Sequence, residues 1–125
     1  MKKLLLLLAL LALILPLSAC QPKTQATGGT DDSVERSAFL NQFVYFDFDK
    51  YNIRGDQISI VQAKANYLSK NTLRSTLYGY CDERGTDAYN ITLGDRRAKA
   101  VLNYLVDLGI SSSRLSAISE GENNP

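Results

Sequence analysis

The sequence predicts an α/β domain, a two-layer α+β sandwich in which strand, helix, strand, helix and strand alternate and a small sheet is covered by helices. Three observations predict it. Val44, Phe46 and Phe48 alternate with Tyr45 and Asp47, the period of a half-buried strand. Ile58, Val61, Ala65 and Leu68 recur at helical spacing, as do Leu93, Ala100, Val101, Tyr104, Leu105 and Leu108 further on. Between and after those stretches, short β-rich runs at 76–80 and 115–119 supply the remaining strands.

Taken in order, the chain begins with Met1-Lys2-Lys3 and then an apolar run over 4–17, too short for a comfortable membrane span and typical of an export signal. Leu17-Ser18-Ala19-Cys20 closes that run and resembles the lipobox of bacterial lipoproteins, which makes 1–19 a signal peptide and Cys20 the lipidation site and first mature residue. A thioether diacylglycerol and an amide-linked acyl chain on Cys20 would anchor the protein firmly, because one chain binds a bilayer only reversibly. By resemblance to lipoprotein sorting rules, Gln21 after Cys20 favours the outer membrane, facing the periplasm. Residues 20–38 comprise the lipidated Cys20 and a stretch, 21–38, rich in Thr, Gly, Ser, Gln and Asp without apolar period that reads as a flexible tether. Eighteen such residues reach roughly 60 Å fully extended and about 23 Å as a coil.

The domain then occupies 39–125. A strand is expected over 42–48 with Asp49 at its carboxyl end, a helix over 56–69 stopped by Asn71, and a second strand over 76–80 running into Asp82. The second helix is expected over 87–108, capped by Thr86 or Asp87 and broken by Gly109. Strand, helix, strand of this length implies a crossover and a parallel pair, so the carboxyl ends of the first two strands should meet. That places Asp49 and the Asp82 loop at one sheet edge, where α/β folds hold ligands.

Composition narrows the chemistry. Loss of Lys2 and Lys3 turns the formal charge from +1 to −1, leaving no electrostatic footprint for nucleic acid. Histidine is absent, which removes the commonest general base and zinc ligand; neither a metal nor a cofactor is expected. Once Cys20 is acylated, Cys81 has no disulfide partner, and its strand parity with Leu77 and Gly79 reads as a small buried side chain.

The chemistry concentrates in Tyr78-Gly79-Tyr80-Cys81-Asp82-Glu83-Arg84-Gly85-Thr86 and the helix behind it. Arg97 interrupts that helix's apolar stripe, whereas Arg96 falls on the polar face with Lys99, Asn103 and Asp107. Turning a guanidinium inward is costly unless an anion or hydrogen-bond acceptor meets it. Arg97 beside Asp82 and Asp49 therefore reads as a ligand site offering both signs of charge. Two other readings stand beside it: an ion pair from Arg97 to Asp82 or Asp49 that only orders the loop, and plain core roles for Phe48 and Leu93.

The run Asp82-Glu83-Arg84-Gly85-Thr86, Tyr89-Asn90, Leu93-Gly94 and Arg96-Arg97-Ala98, together with Val44 to Tyr51, resembles the OmpA-like peptidoglycan-binding domain, most of all in its lipoprotein branch. The resemblance implies a non-catalytic lipoprotein of the Tol-Pal system that ties the outer membrane to the cell wall. It also implies that Phe48, Asp49, Asp82, Arg84, Leu93 and Arg97 contact peptidoglycan through the meso-diaminopimelate of its stem peptide. The Tol system's periplasmic propeller protein, TolB, is the implied protein partner. Tyr80 and Cys81 depart from the family pattern just before Asp82. Family members also continue past Gly121-Glu122 into another strand, so the final strand is expected to be missing. Two rivals remain at this stage: a lipid-anchored scaffold that binds only proteins, and a cell-wall hydrolase using Asp49 and Asp82.

Overall fold

The computed structural model describes residues 32–123. The signal segment, the Cys20 lipidation site and the first part of the tether lie outside the described residues. Five main elements follow in order: α1 (Asp32–Asn41), α2 (Ile58–Ser69), β1 (Ser75–Tyr80), α3 (Asp87–Asp107) and β2 (Leu115–Gly121). Helices and a small open parallel sheet are the fold class expected.

β1 and β2 pair in parallel, Ser75 opposite Leu115 through Gly79 opposite Ser119, with a register shift before Tyr80 meets Gly121. α3 is the crossover between them. Thr86 caps it, its hydroxyl accepting from the Tyr89 amide at 3.2 Å. At the other end Gly109 takes φ 100°, its N–H reaches the Val106 carbonyl, and the Ile110 N–H reaches Leu105. Those two bonds satisfy carbonyls that a helix end leaves open, and they place Ile110 against Leu105 in the core. α2 stops as expected at Asn71, whose side-chain amide donates to the Tyr67 carbonyl at 2.9 Å.

The core is built from Val61, Leu68 and Leu105, almost wholly buried, with Ala65, Tyr67, Val101 and Ile110 around them. Each Val, Leu or Ile side chain among them stabilises the fold by about 1.5–3 kcal/mol through burial. α3 meets the sheet with no side chain between the two backbones. A Cβ at Gly79 would lie 1.9 Å from the Gly94 carbonyl oxygen, and one at Gly94 would lie 2.4 Å from Ser119 Oγ. The buried stripe of α3 runs Leu93, Gly94, Ala98, Val101, Leu105. Leu108, expected on it, is exposed, because the chain turns away at Gly109.

Two expectations are corrected. Residues 42–47 form no ladder: the sheet has only β1 and β2. Val44 and Phe46 still turn onto the core as their alternation requires, but the Tyr45 amide is satisfied by Gln57 Oε1 instead of by a neighbouring strand. Packing, not pairing, sets that segment. The tether expected through 38 gives way at Asp32 to α1, a helix without buried residues, held from outside. Phe39 stacks on Tyr67 with ring centroids 4.8 Å apart, Lys64 Nζ donates to the Phe39 carbonyl, and Lys70 meets Glu35 at 3.4 Å. Lys64 is itself buried under this contact, which pushes its amine below the ordinary lysine range. Removing the stack should therefore release the helix alone. We expect Phe39→Ala to abolish slow amide exchange over 32–41 while leaving α2 and α3 protected; uniform loss across the domain would refute it.

Candidate functional site

The first turns of α3 and the carboxyl end of β1 line a solvent-open cleft of about 250 Å³. Phe48 and Asp49 enter it from the turn after residue 47, Asp82 and Arg84 from the loop after β1, and Leu93 and Arg97 from α3. The structure thus brings all six sequence-predicted residues into one cavity. Cys81, Gly85, Tyr89 and Asn90 complete the lining.

Helical spacing explains the α3 wall. Tyr89, Leu93 and Arg97 stand one turn apart on a single face. Leu93 is buried as the floor, so its core role and its place in the cleft coincide. Asn90, also buried, donates to the Asp82 carbonyl at 3.2 Å and to Glu122 Oε2 at 3.1 Å, locking the β1 loop to the end of β2. Gly85 lets that loop close over the helix: its φ is 104°, and a Cβ there would meet Asn90 Oδ1 at 3.1 Å.

Arg97 turns inward as the interrupted stripe predicts, and the acceptors that meet it are carbonyls. Its Nε donates to the Lys50 carbonyl at 2.8 Å, Nη1 to Tyr80 at 2.9 Å and Nη2 to Asp47 at 3.1 Å. It makes no ion pair within 4.0 Å among the described residues, so the alternative reading of a loop-ordering ion pair to Asp82 or Asp49 does not hold. Three main-chain carbonyls satisfy the inward-turned guanidinium without cancelling its charge. They also explain how Asp49 reaches the sheet edge although 42–47 is not a strand. The guanidinium bridges the two chain segments directly.

Asp82 is paired instead with Arg84, which donates through Nη2 at 2.6 Å and Nε at 3.1 Å, while the Arg84 amide reaches the other carboxylate oxygen. Those bonds hold the Asp82 carboxyl below the ordinary range. The Arg84 guanidinium also lies 4.1 Å from the centre of the Phe48 ring, so it spans the cleft mouth between two loops. Cys81 is buried, its Sγ 3.2 Å from the Asn90 carbonyl oxygen, and burial pushes its thiol up. It behaves as the small inert side chain its position implied. Asp47 faces outward to Arg54 at 3.4 Å. Among the described residues no cluster of potential metal ligands occurs.

Tyr89 and Asn90 stand within the run that resembles the family, but neither is among the residues assigned to the site from the sequence. Their signal was available, since Asn90 sits three residues before Leu93 and Tyr89 four, at the spacing that shares a helix face.

Against this geometry, the chain is similar to several known proteins. It is 47% identical over 83 residues to a peptidoglycan-associated lipoprotein of Haemophilus influenzae, covering 66% of this chain and 54% of the relative. A protein of the same description from Pseudomonas putida is 40% identical over 101 residues, covering 79% of this chain and 61% of the relative. The chain therefore spans little more than half the length of the curated relatives it matches. Among solved structures, the peptidoglycan-associated lipoprotein from Burkholderia pseudomallei superposes with a TM-score of 0.63 at 38% identity, over 66% of this chain and 70% of that one. The OmpA family model matches residues 45–125, a stretch holding every residue of the cleft, and the chain accordingly belongs to the OmpA family.

Proposed function

We propose that this chain is a non-catalytic lipoprotein, anchored in the outer membrane through Cys20, that binds peptidoglycan by the meso-diaminopimelate of the stem peptide. The observation that carries the reading is one cleft lined by Asp49, Asp82 and an Arg97 whose charge no carboxylate neutralises. The distal centre of meso-diaminopimelate presents an ammonium and a carboxylate together. Asp49 and Asp82 accept from the ammonium, which displaces Arg84 from Asp82, while the carboxylate meets the Arg97 charge. Because three of the five Arg97 hydrogens already serve carbonyls and a fourth, on Nη1, faces Cys81 Sγ at 3.9 Å, its grip on the carboxylate rests on charge and one remaining Nη2 hydrogen. Lysine-type wall lacks that carboxylate and leaves the cation unmatched.

The relatives' shared description supports wall binding, and by the same resemblance TolB is the protein partner, competing with the wall for an overlapping surface. A hydrolase reading loses support at Asp82. A glycosidase needs one carboxyl that holds its proton, and Arg84 keeps this one ionised.

Sedimentation with purified sacculi tests the proposal. The full chain should co-sediment with diaminopimelate-type sacculi, free meso-diaminopimelate should compete, and Asp82→Ala should reduce retention at least about tenfold. Retention that is equal on lysine-type wall and indifferent to Asp82→Ala would overturn it.

A further inference from the structure

We infer that Tyr89 is a positioning residue of this cleft, acting through Asp49. The inference rests on the proposed binding site but on different observations. Among the described residues, Asp49 is the non-glycine residue with a left-handed backbone, φ 56°. Aspartate tolerates that conformation better than most side chains, yet it persists only when its surroundings fix it. Two groups do so, both from α3. Arg97 holds the turn by its main chain, through the Asp47 and Lys50 carbonyls on either side of Asp49. Tyr89 holds the side chain: its hydroxyl donates to Asp49 Oδ1.

Tyr89 is suited to that task because its own place is fixed twice. Its amide is tied to the Thr86 cap, and its ring lies against Gly85, where a Cβ would come within 3.3 Å of Tyr89 Cδ1. The bond also shows in the phenol, which the Asp49 carboxylate pushes above the ordinary tyrosine range. With Oδ1 engaged by the phenol, Asp49 Oδ2 is the oxygen left for a ligand's ammonium. Tyr89 thus selects which face of the carboxylate the cleft presents, and Asp49 does not have to be ordered at the moment of binding.

Tyr89→Phe removes the hydroxyl and keeps the ring, so the fold should be unchanged. In the full chain in detergent, affinity for free meso-diaminopimelic acid should fall about tenfold. In an Asp49→Gly background, which keeps the left-handed turn, Tyr89→Phe should cost nothing further. Without any ligand, the Hα–Hβ couplings of Asp49 should report one side-chain rotamer in the wild type and an average of several in Tyr89→Phe. A single rotamer in both proteins overturns the inference, as does an equal loss from Tyr89→Phe with and without Asp49. If the wild type fails to bind the amino acid at all, the proposed function fails and the couplings alone decide the role of Tyr89.

Discussion

Gly79→Ala should cost about 3 kcal/mol or more, the upper end of what overpacking imposes, because the added methyl meets main chain and not a side chain that can rotate away. Its Cβ would sit 1.9 Å from the Gly94 carbonyl oxygen and 3.2 Å from Ala98 Cβ. Relief requires α3 to lift off β1, which also loosens the core cluster that Val101 shares with Leu77 and Leu115 of the sheet. For a domain of this size the loss corresponds to a fall in melting temperature of roughly 12–24 °C. Gly55→Ala is the matched control, since a Cβ at Gly55 meets nothing within 4 Å. Denaturant titration of both variants checks the expectation. A Gly79→Ala midpoint within error of Gly55→Ala would mean that helix and strand are not in backbone contact.

Arg97→Ala comes second, with an effect on both stability and binding. It removes three charge-assisted hydrogen bonds and leaves the carbonyls of Asp47, Lys50 and Tyr80 to find water or go without. Because the side chain is only half-buried, water recovers part of that loss, and a net cost of about 2 kcal/mol is expected. Binding should suffer more, since the turn carrying Asp49 loses its main-chain clamp and the cleft loses its cation together. Arg97→Lys separates the effects: one ammonium restores the charge but cannot span three carbonyls set around a planar fork. We expect Arg97→Lys to recover less than a tenth of wild-type affinity for sacculi. Full recovery by lysine would show that charge alone matters and that the carbonyl bridge is incidental.

How much of this was legible in the sequence depends on how local each cause is. α3 was read almost to the residue, because its cap at Thr86 and its breaker at Gly109 are satisfied within a few positions. The alternation at 44–48 correctly gave the faces of Val44 and Phe46 but not of Phe48, which is exposed in the turn that follows, and whether an extended segment joins a ladder is decided by a strand elsewhere. α1 gave no signal at all. It buries none of its own residues, and what holds it, Lys64 and Tyr67, belongs to α2. The charges pointed to this cleft, and the six residues named from the motif all line it, while Cys81, Gly85, Tyr89 and Asn90 join them unassigned. The bonding within it was not foreseeable. A pattern of side chains can show that Arg97 needs acceptors, and it cannot show that they will be carbonyls of residues 47, 50 and 80. Tyr89 was overlooked for a related reason: an exposed tyrosine in a first helical turn looks ordinary until its hydroxyl is placed beside Asp49.

The way α1 lies on α2 gives the domain a built-in order of yielding. Tension entering at Asp32 loads the Phe39 stack and the Lys64 contact, both on α2, before it reaches the sheet. Ten residues coiled as a helix measure about 15 Å and drawn straight about 34 Å, so peeling that helix lengthens the chain by about 20 Å while the cleft stays whole. In a single-molecule pull from that side, a first step of about this length should precede any unfolding of the sheet. Under the proposed function, a sudden separation of outer membrane and wall would draw out this slack before the cleft is loaded.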